Sequence, residues 1–292
     1  MKHKVLILGS TGLIGHQVYN YLELNSDYLL SNISFRKKLN KLTILQDALD
    51  IEGLVNQINI INPTVIVNCI GTLISQSNKD PVRAIFLNSY LPHKLKRIAN
   101  QIDAKLIHMS TDCVFSGDKK EPYNEMDFKD GRDIYAKTKD LGEIVSKKHL
   151  TLRTSVVGPE LKVDGGELFN WFMSQKHSVK GFSNAIWSGI TSIELAKAVM
   201  WSIDNNIKGL YHLTNNKSIS KYELLKLFKK YTQKKIEIIS VDTNATNKSF
   251  IDTRGLINYE IPSYEVMISD LTKSISKNKS LYPHYDTIKY FG

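Results

Sequence analysis

Two hydrophobic patterns alternate through the first half of the chain. Strand-like runs rich in apolar residues occur at Lys4-Val5-Leu6-Ile7-Leu8, Leu29 to Phe35, Thr64 to Gly71, Lys105 to Met109 and Leu150 to Ser155. Runs of this length read as strands buried on both faces of a parallel sheet. Between them apolar residues recur at helical spacing, as at Val18, Tyr19 and Leu22. Asp80-Pro81 supplies an N-cap and a proline at the first helical position, so a helix is expected from there to about Asn100. Strands alternating with helices predict an α/β fold with a doubly wound parallel sheet, in which ligands gather beyond the C-terminal strand ends.

Past residue 157 the alternation fades. Gly158-Pro159 and Gly165-Gly166 punctuate a region rich in Phe169, Trp171, Phe172, Phe182 and Trp187, and two capping boxes follow, Thr191 with Glu194 and Ser220 with Glu223. The expected organisation is therefore a Rossmann domain over 1–157 and a smaller C-terminal substrate-binding α/β domain over 158–292, some of whose segments may return to pack on the first.

The first strand runs into Gly9-Ser10-Thr11-Gly12-Leu13-Ile14-Gly15, a G-x-x-G-x-x-G turn opening a helix. Glycines there permit a tight turn, close approach of backbone to a pyrophosphate and close packing of helix on strand. Gly9, Thr11, Gly12, Leu13, Ile14 and Gly15 are the first candidate cofactor contacts. The second strand ends in Arg36-Lys37-Lys38, where an NAD site would place an acid on the ribose hydroxyl. Arg36 and Lys37 suit a 2′-phosphate, so NADP (NADPH) is expected, with NAD the alternative. Asp47 and Ala48, near the adenine, and Cys69, Ile70 and Gly71, at the tip of the strand beginning near Thr64, extend the site. Asn88 is a further candidate, the plainer reading being a surface amide.

Tyr135 and Lys139 sit four residues apart at a helix start, so both project from one face. An ammonium beside a phenol, whose free pKa is about 10, favours its ionised form and suits it to proton transfer.

Composition narrows the picture. The chain has 292 residues, 42% hydrophobic and 23% charged, which suits a globular enzyme or binding protein. No apolar run reaches the roughly 20 residues that span a bilayer, and no membrane insertion is expected. The N-terminus enters a strand directly and there are two cysteines, so a cytoplasmic protein without disulfides is expected. The net charge of +10 is spread along the chain, and the lysines from Lys217 to Lys235 alternate with Tyr222, Leu225, Phe228 and Tyr231 as on a solvated helix face. That pattern argues against nucleic acid. The eight histidines form no metal-ligand spacing.

Met109-Ser110-Thr111-Asp112-Cys113-Val114-Phe115-Ser116-Gly117, Tyr135-Ala136-Lys137-Thr138-Lys139-Asp140-Leu141-Gly142-Glu143 and Leu152-Arg153-Thr154-Ser155, behind the glycine turn, make the chain resemble the extended short-chain dehydrogenase/reductases. It is most similar to the dTDP-4-dehydrorhamnose reductase-like, nucleotide-sugar 4-keto reductase branch. The resemblance spans the chain, including Gly209 to Leu213, read as part of the substrate domain. It implies that Tyr135 protonates a sugar carbonyl oxygen as NADPH delivers hydride, that Lys139 lowers the phenol's pKa and holds the nicotinamide ribose, and that Thr111 hydrogen-bonds the same oxygen. Asp112, Cys113, Ser155, Val156, Phe182, Trp187 and Arg254 are the implied substrate contacts, Arg254 as a pyrophosphate ligand, and Arg153 is implied near the nicotinamide.

Asp112-Cys113 stands where related dehydratases carry Asp-Glu, which argues against elimination, and Val156 replaces the branch's usual Trp. The expected substrate is a nucleotide-linked 4-keto-6-deoxy sugar, dTDP-4-dehydrorhamnose or a UDP-2-acetamido-4-keto-6-deoxyhexose, used in bacterial surface polysaccharide synthesis. Two alternatives follow from the same resemblance: an epimerase/reductase using Cys113 and His177, and a non-catalytic NADP-binding regulatory subunit like the methionine adenosyltransferase β-subunit. A homodimer is compatible with the sequence.

Overall fold

Seven strands, all parallel, form the sheet on which everything else is mounted. The computed structural model describes residues 2–243, 245–255 and 259–291. In chain order β1 (Lys4–Leu8), α1 (Leu13–Asn25), β2 (Leu29–Ser34), β3 (Ile44–Leu45), α2 (Ile51–Ile61) and β4 (Val65–Asn68) come first. Then follow α3 (Ile74–Lys79), α4 (Pro81–Ala84), a π turn (Ile85–Tyr90), α5 (Leu91–Gln101), β5 (Lys105–Thr111), α6 (Ile134–Leu141) and β6 (Leu150–Thr154).

Side chains alternate across these strands, so each strand feeds two cores. Leu6, Leu8, Ile66 and Leu106 turn to a face covered by Leu54 and Ile58 of α2 and Leu91, Leu95 and Ile98 of α5. Val5, Ile7, Val67, Ile107 and Leu152 turn to the other face, against Val18 and Leu22 of α1. Each such side chain, fully buried, contributes roughly 1.5–3 kcal/mol.

After β6 the chain builds β7 (Val156–Val157), α7 (Leu168–Ser174), β8 (Ser178–Phe182), β9 (Ala185–Trp187), β10 (Ile190–Thr191) and α8 (Ser192–Asp204). β11 (Gly209–His212), β12 (Ile219–Ser220), α9 (Lys221–Thr232), β13 (Glu237–Val241), β14 (Thr246–Asn247), α10 (Tyr264–Lys277) and α11 (Thr287–Tyr290) complete it. Small parallel pairs, β7 with β10 and β8 with β13, and the antiparallel pair β9 with β12 frame this part. Both anticipated N-caps are present: Thr191 accepts from Glu194 N–H and Ser220 from Glu223 N–H.

One expectation is corrected. Gly209 to Leu213, assigned to the substrate domain, instead brings β11 to the edge of the central sheet, where Gly209–His212 pair with Leu150–Arg153 of β6. An open sheet edge leaves a row of unpaired backbone groups, and β11 satisfies those of β6. α8 packs on α1, and Leu195, Val199, Phe228, Met267, Leu271, Tyr282 and Tyr285 join the core under α1. The change of sequence texture near residue 157 therefore has no matching gap in the core.

A second feature was not expected. The helix from Pro81 to Gln101 is interrupted by the π turn, and Gly142 packs against it so closely that a Cβ there would stand 1.8 Å from the Asn88 carbonyl oxygen. The bulge turns Asn88 inward, away from the surface reading. Fully buried, it accepts from Thr72 N–H (2.9 Å) and donates to the hydroxyls of Thr72 and Thr138 (both 3.1 Å). It thereby ties the loop after β4 to α6.

Candidate active site

The glycine turn closes the C-terminal end of β1. Gly9 adopts φ +78°, a left-handed conformation open to glycine, and its N–H donates to Ile33 O of β2 (2.9 Å). A Cβ on Gly15 would stand 2.2 Å from the Gly9 carbonyl oxygen, so α1 approaches the turn as only glycine permits. No side chain caps α1, leaving its first amides to an external acceptor. This cradle fits a dinucleotide diphosphate.

Arg36 and Lys37 are exposed just beyond β2, with Arg36 over the Phe35 ring. Ala48 is buried, and the Asp47 carboxylate accepts from Leu49 N–H (3.0 Å) ahead of α2. Cys69, Ile70 and Gly71 follow β4 on the same side of the sheet, and Cys69 O would lie 3.1 Å from a Cβ on Gly9. Burial pushes the Cys69 thiol up to about 12.

Thr111 is the last residue of β5, and its hydroxyl donates to Asp112 Oδ1 (3.1 Å) and accepts from Cys113 N–H (3.2 Å). Tyr135 enters in the first turn of α6, whose N-cap Asp133 accepts from Ala136 N–H (2.7 Å). Thr111 and Tyr135 lie side by side, the hydroxyl close enough to the phenol to favour its ionised form. Lys139, one turn on and 6% exposed, reaches below the strand end and donates to Met109 O (2.6 Å). Burial lowers its pKa to about 8, partly opposed by Glu143.

The phenol departs from the simple expectation. Burial raises the Tyr135 pKa and the Cys113 charge adds to this, while the lowering influence is the Thr111 hydrogen bond. With the Lys139 ammonium turned to Met109 O, the phenol stays protonated at neutral pH and is a weaker acid than a free phenol.

The remaining sequence candidates divide into three groups. Asp112 and Cys113 follow the C-terminal end of β5, with the Cys113 thiol pushed by burial up to about 12. Ser155 accepts from Ile190 N–H (2.9 Å) and Val156 begins β7, while Phe182 is 41% exposed on β8. Trp187, in contrast, is 2% exposed, packed on Tyr264 and covered by the Lys221 ammonium 5.1 Å from its ring.

Arg153 is buried away from solvent in a two-pronged pair with Glu143 (2.8 and 2.7 Å), beside His212. It braces α6 against the sheet and does not line the opening. Arg254 is exposed and donates to Leu210 O of β11 (2.6 Å). His177 lines a surface cavity of about 570 Å³ with Lys229, Lys230, Lys234 and Lys235, and is not brought to Cys113.

Sequence reasoning overlooked Lys221 and Glu167. Lys221 lies within the electrostatic reach of Asp112, Cys113 and Glu167, and burial lowers its pKa. The Glu167 charge in turn reaches Tyr135. A signal was present for Lys221: it occupies the first position of α9, where the positive end of the helix dipole disfavours a cation. The general reading of Lys217 to Lys235 as a solvated face hid it.

A parallel sheet with a glycine turn at the end of β1 and a Thr, Tyr and Lys gathered at the end of β5, two strands away, defines an extended short-chain dehydrogenase/reductase architecture. Within that class the chain belongs to the RmlD substrate binding domain family, which matches residues 3–250. The spore coat polysaccharide biosynthesis protein SpsK of Bacillus subtilis (strain 168) is 27% identical over 245 residues, 82% of this chain and 83% of that protein. Methionine adenosyltransferase 2 subunit beta of Rattus norvegicus is 30% identical over 235 residues, 76% of this chain and 70% of that protein. The fold is shared with a crystal structure of dTDP-4-dehydrorhamnose reductase from Bacillus anthracis in complex with NADP. The TM-score is 0.79 at 24% identity, covering 93% of this chain and 99% of that one. Among the described residues no helix is long and apolar enough to cross a membrane.

Proposed function

We propose that this chain is an NADPH-dependent reductase of a nucleotide-linked 4-keto-6-deoxy sugar, dTDP-4-dehydrorhamnose or a UDP-2-acetamido-4-keto-6-deoxyhexose, serving bacterial surface polysaccharide synthesis. The observation that carries it is the Thr111 hydroxyl set beside the Tyr135 phenol, with Lys139 one turn further along α6. NADPH supplies the hydride when bound. Gly9, Gly12 and Gly15 would admit its diphosphate, Arg36 and Lys37 its 2′-phosphate, and Lys139 its ribose. Tyr135 then gives its proton to the sugar's carbonyl oxygen while Thr111 hydrogen-bonds that oxygen, two donors aimed where negative charge develops. The phenol carries the proton at neutral pH, and donors on the carbonyl oxygen together with a cation beside the phenol oppose the weakening of its acidity by burial. The reductase bound to NADP and the polysaccharide biosynthesis relative support cofactor and setting. Purified protein given NADPH and each candidate keto sugar should consume NADPH; no consumption with either would overturn the reading.

Epimerisation by Cys113 and His177 is disfavoured, since the thiol remains protonated at neutral pH and the histidine lines another cavity. The 30% identical methionine adenosyltransferase β-subunit favours a second reading, an NADP-binding regulatory subunit. Tight NADPH binding without turnover of any nucleotide sugar, together with a stable complex with a catalytic partner, would establish that reading instead.

A further inference from the structure

Two tyrosines in the segment after α10 reach opposite halves of the site. His16, in the first turn of α1 and fully buried, has Nδ1 2.7 Å from the Gly12 carbonyl oxygen and Nε2 2.8 Å from the Tyr282 hydroxyl. Burial lowers its pKa to about 4, so at neutral pH the ring carries one N–H. A carbonyl can only accept, which puts that hydrogen on Nδ1 and leaves Nε2 to accept from Tyr282 O–H. Gln17 Nε2 donates to the same Tyr282 oxygen (2.5 Å). The Gly12 carbonyl also takes the backbone N–H of His16 (3.2 Å). Since a peptide unit is planar and trans, pinning Gly12 C=O also fixes the direction of Leu13 N–H, one of the unspent amides at the start of α1.

Tyr285 works on the other side. Its oxygen accepts from Glu160 N–H (2.9 Å), and Glu160 Oε2 accepts from Glu167 N–H (3.0 Å) at the start of α7. Its ring stacks on Tyr282, centroids 5.9 Å apart, and meets Phe169 of α7 edge-on at 6.0 Å.

We propose that Tyr282 and Tyr285 are positioning residues: Tyr282, through His16, aims the Leu13 amide at the cofactor diphosphate, and Tyr285, through Glu160, sets the start of α7 on the sugar side. The proposal rests on the reductase reading for its two ligands.

NADPH affinity measured by nicotinamide fluorescence, without sugar, separates the two. Tyr282→Phe removes one hydroxyl and should weaken NADPH binding about five- to ten-fold, leaving the sugar KM unchanged. Tyr285→Phe should raise the sugar KM by a similar factor at unchanged NADPH affinity. Should Tyr282→Phe prove unstable, the triple variant Tyr282→Phe/His16→Phe/Gln17→Leu replaces all three partners by apolar side chains and should regain thermal stability while still binding NADPH weakly. A fall in melting temperature with unchanged NADPH affinity in the single and triple variants would overturn the Tyr282 role, and an unchanged sugar KM in Tyr285→Phe would overturn the other. Wild-type protein that fails to bind NADPH would sink the reductase reading along with the proposal. Normal NADPH binding by the wild type, undiminished in Tyr282→Phe, sinks the proposal alone.

Discussion

The two halves of the site are made of different materials. Around β1 and α1 the site is backbone: a left-handed glycine, a glycine with no space for a methyl group, and uncapped helix amides. Around β5 and α6 it is side chain: a hydroxyl, a phenol and an ammonium set by a strand end, an N-cap and a carbonyl. The first half is vulnerable to added atoms, the second to removed ones. Recognition and chemistry should therefore be separable by mutation in the second half, whereas at the glycines of the first half recognition is inseparable from folding.

The sharpest test deletes one oxygen. Tyr135→Phe is expected to reduce turnover by about 10²- to 10⁴-fold while NADPH affinity stays within about two-fold. Steady-state kinetics beside fluorescence titration checks both, and a parallel loss of affinity would erase the distinction between the halves. Thr111→Val should come next, with turnover down about 10²-fold as one donor to the carbonyl oxygen disappears. An unchanged rate would leave Tyr135 as the only donor.

On the backbone side, Gly15→Ala places a methyl group 2.2 Å from the Gly9 carbonyl oxygen. Calorimetry should show a loss of about 1–3 kcal/mol, with NADPH affinity falling alongside. A stable variant with weakened binding alone would contradict the idea that fold and recognition are one there.

The smallest effect concerns Lys139. Burial lowers its pKa from 10.5 to about 8. Below about 8 it is charged in both folded and unfolded chains, and folding bears the full cost of a charge in a dry site. Between those values the unfolded chain holds the proton the folded chain has released, so stability from this group rises with pH. The stability advantage of Lys139→Met over wild type should shrink between about pH 7 and pH 10 in thermal melts. Lys105, also lowered to about 8, is present in both proteins and cancels. A constant gap would show that Lys139 is not strained by burial.

Much of this was legible in the residues because the signals were local. A buried parallel strand shows as a run rich in apolar residues, and Asp80-Pro81 and Ser220 announce helix starts through their own chemistry. The Tyr135–Lys139 spacing fixed a shared helix face before any fold was known. What was missed depends on contacts distant in sequence. The π turn at Asn88 lies where Gly142, distant in sequence, packs on it, and β11 joins the central sheet at the edge of β6. Arg153 resembled a site residue by its neighbours in sequence, yet Glu143 holds it inside. Lys221 was hidden by averaging it with exposed lysines.

The placement of β11 also bears on synthesis. A ribosome that has released everything through β6 has delivered the glycine turn, Thr111, Tyr135 and Lys139, yet the outer edge of β6 has no partner until residues 209–212 emerge. During that interval the nascent sheet exposes a strand edge able to recruit other chains. Truncations ending between β6 and β11 are expected to aggregate although Thr111, Tyr135 and Lys139 are all present, and chaperone dependence should end as β11 leaves the exit tunnel.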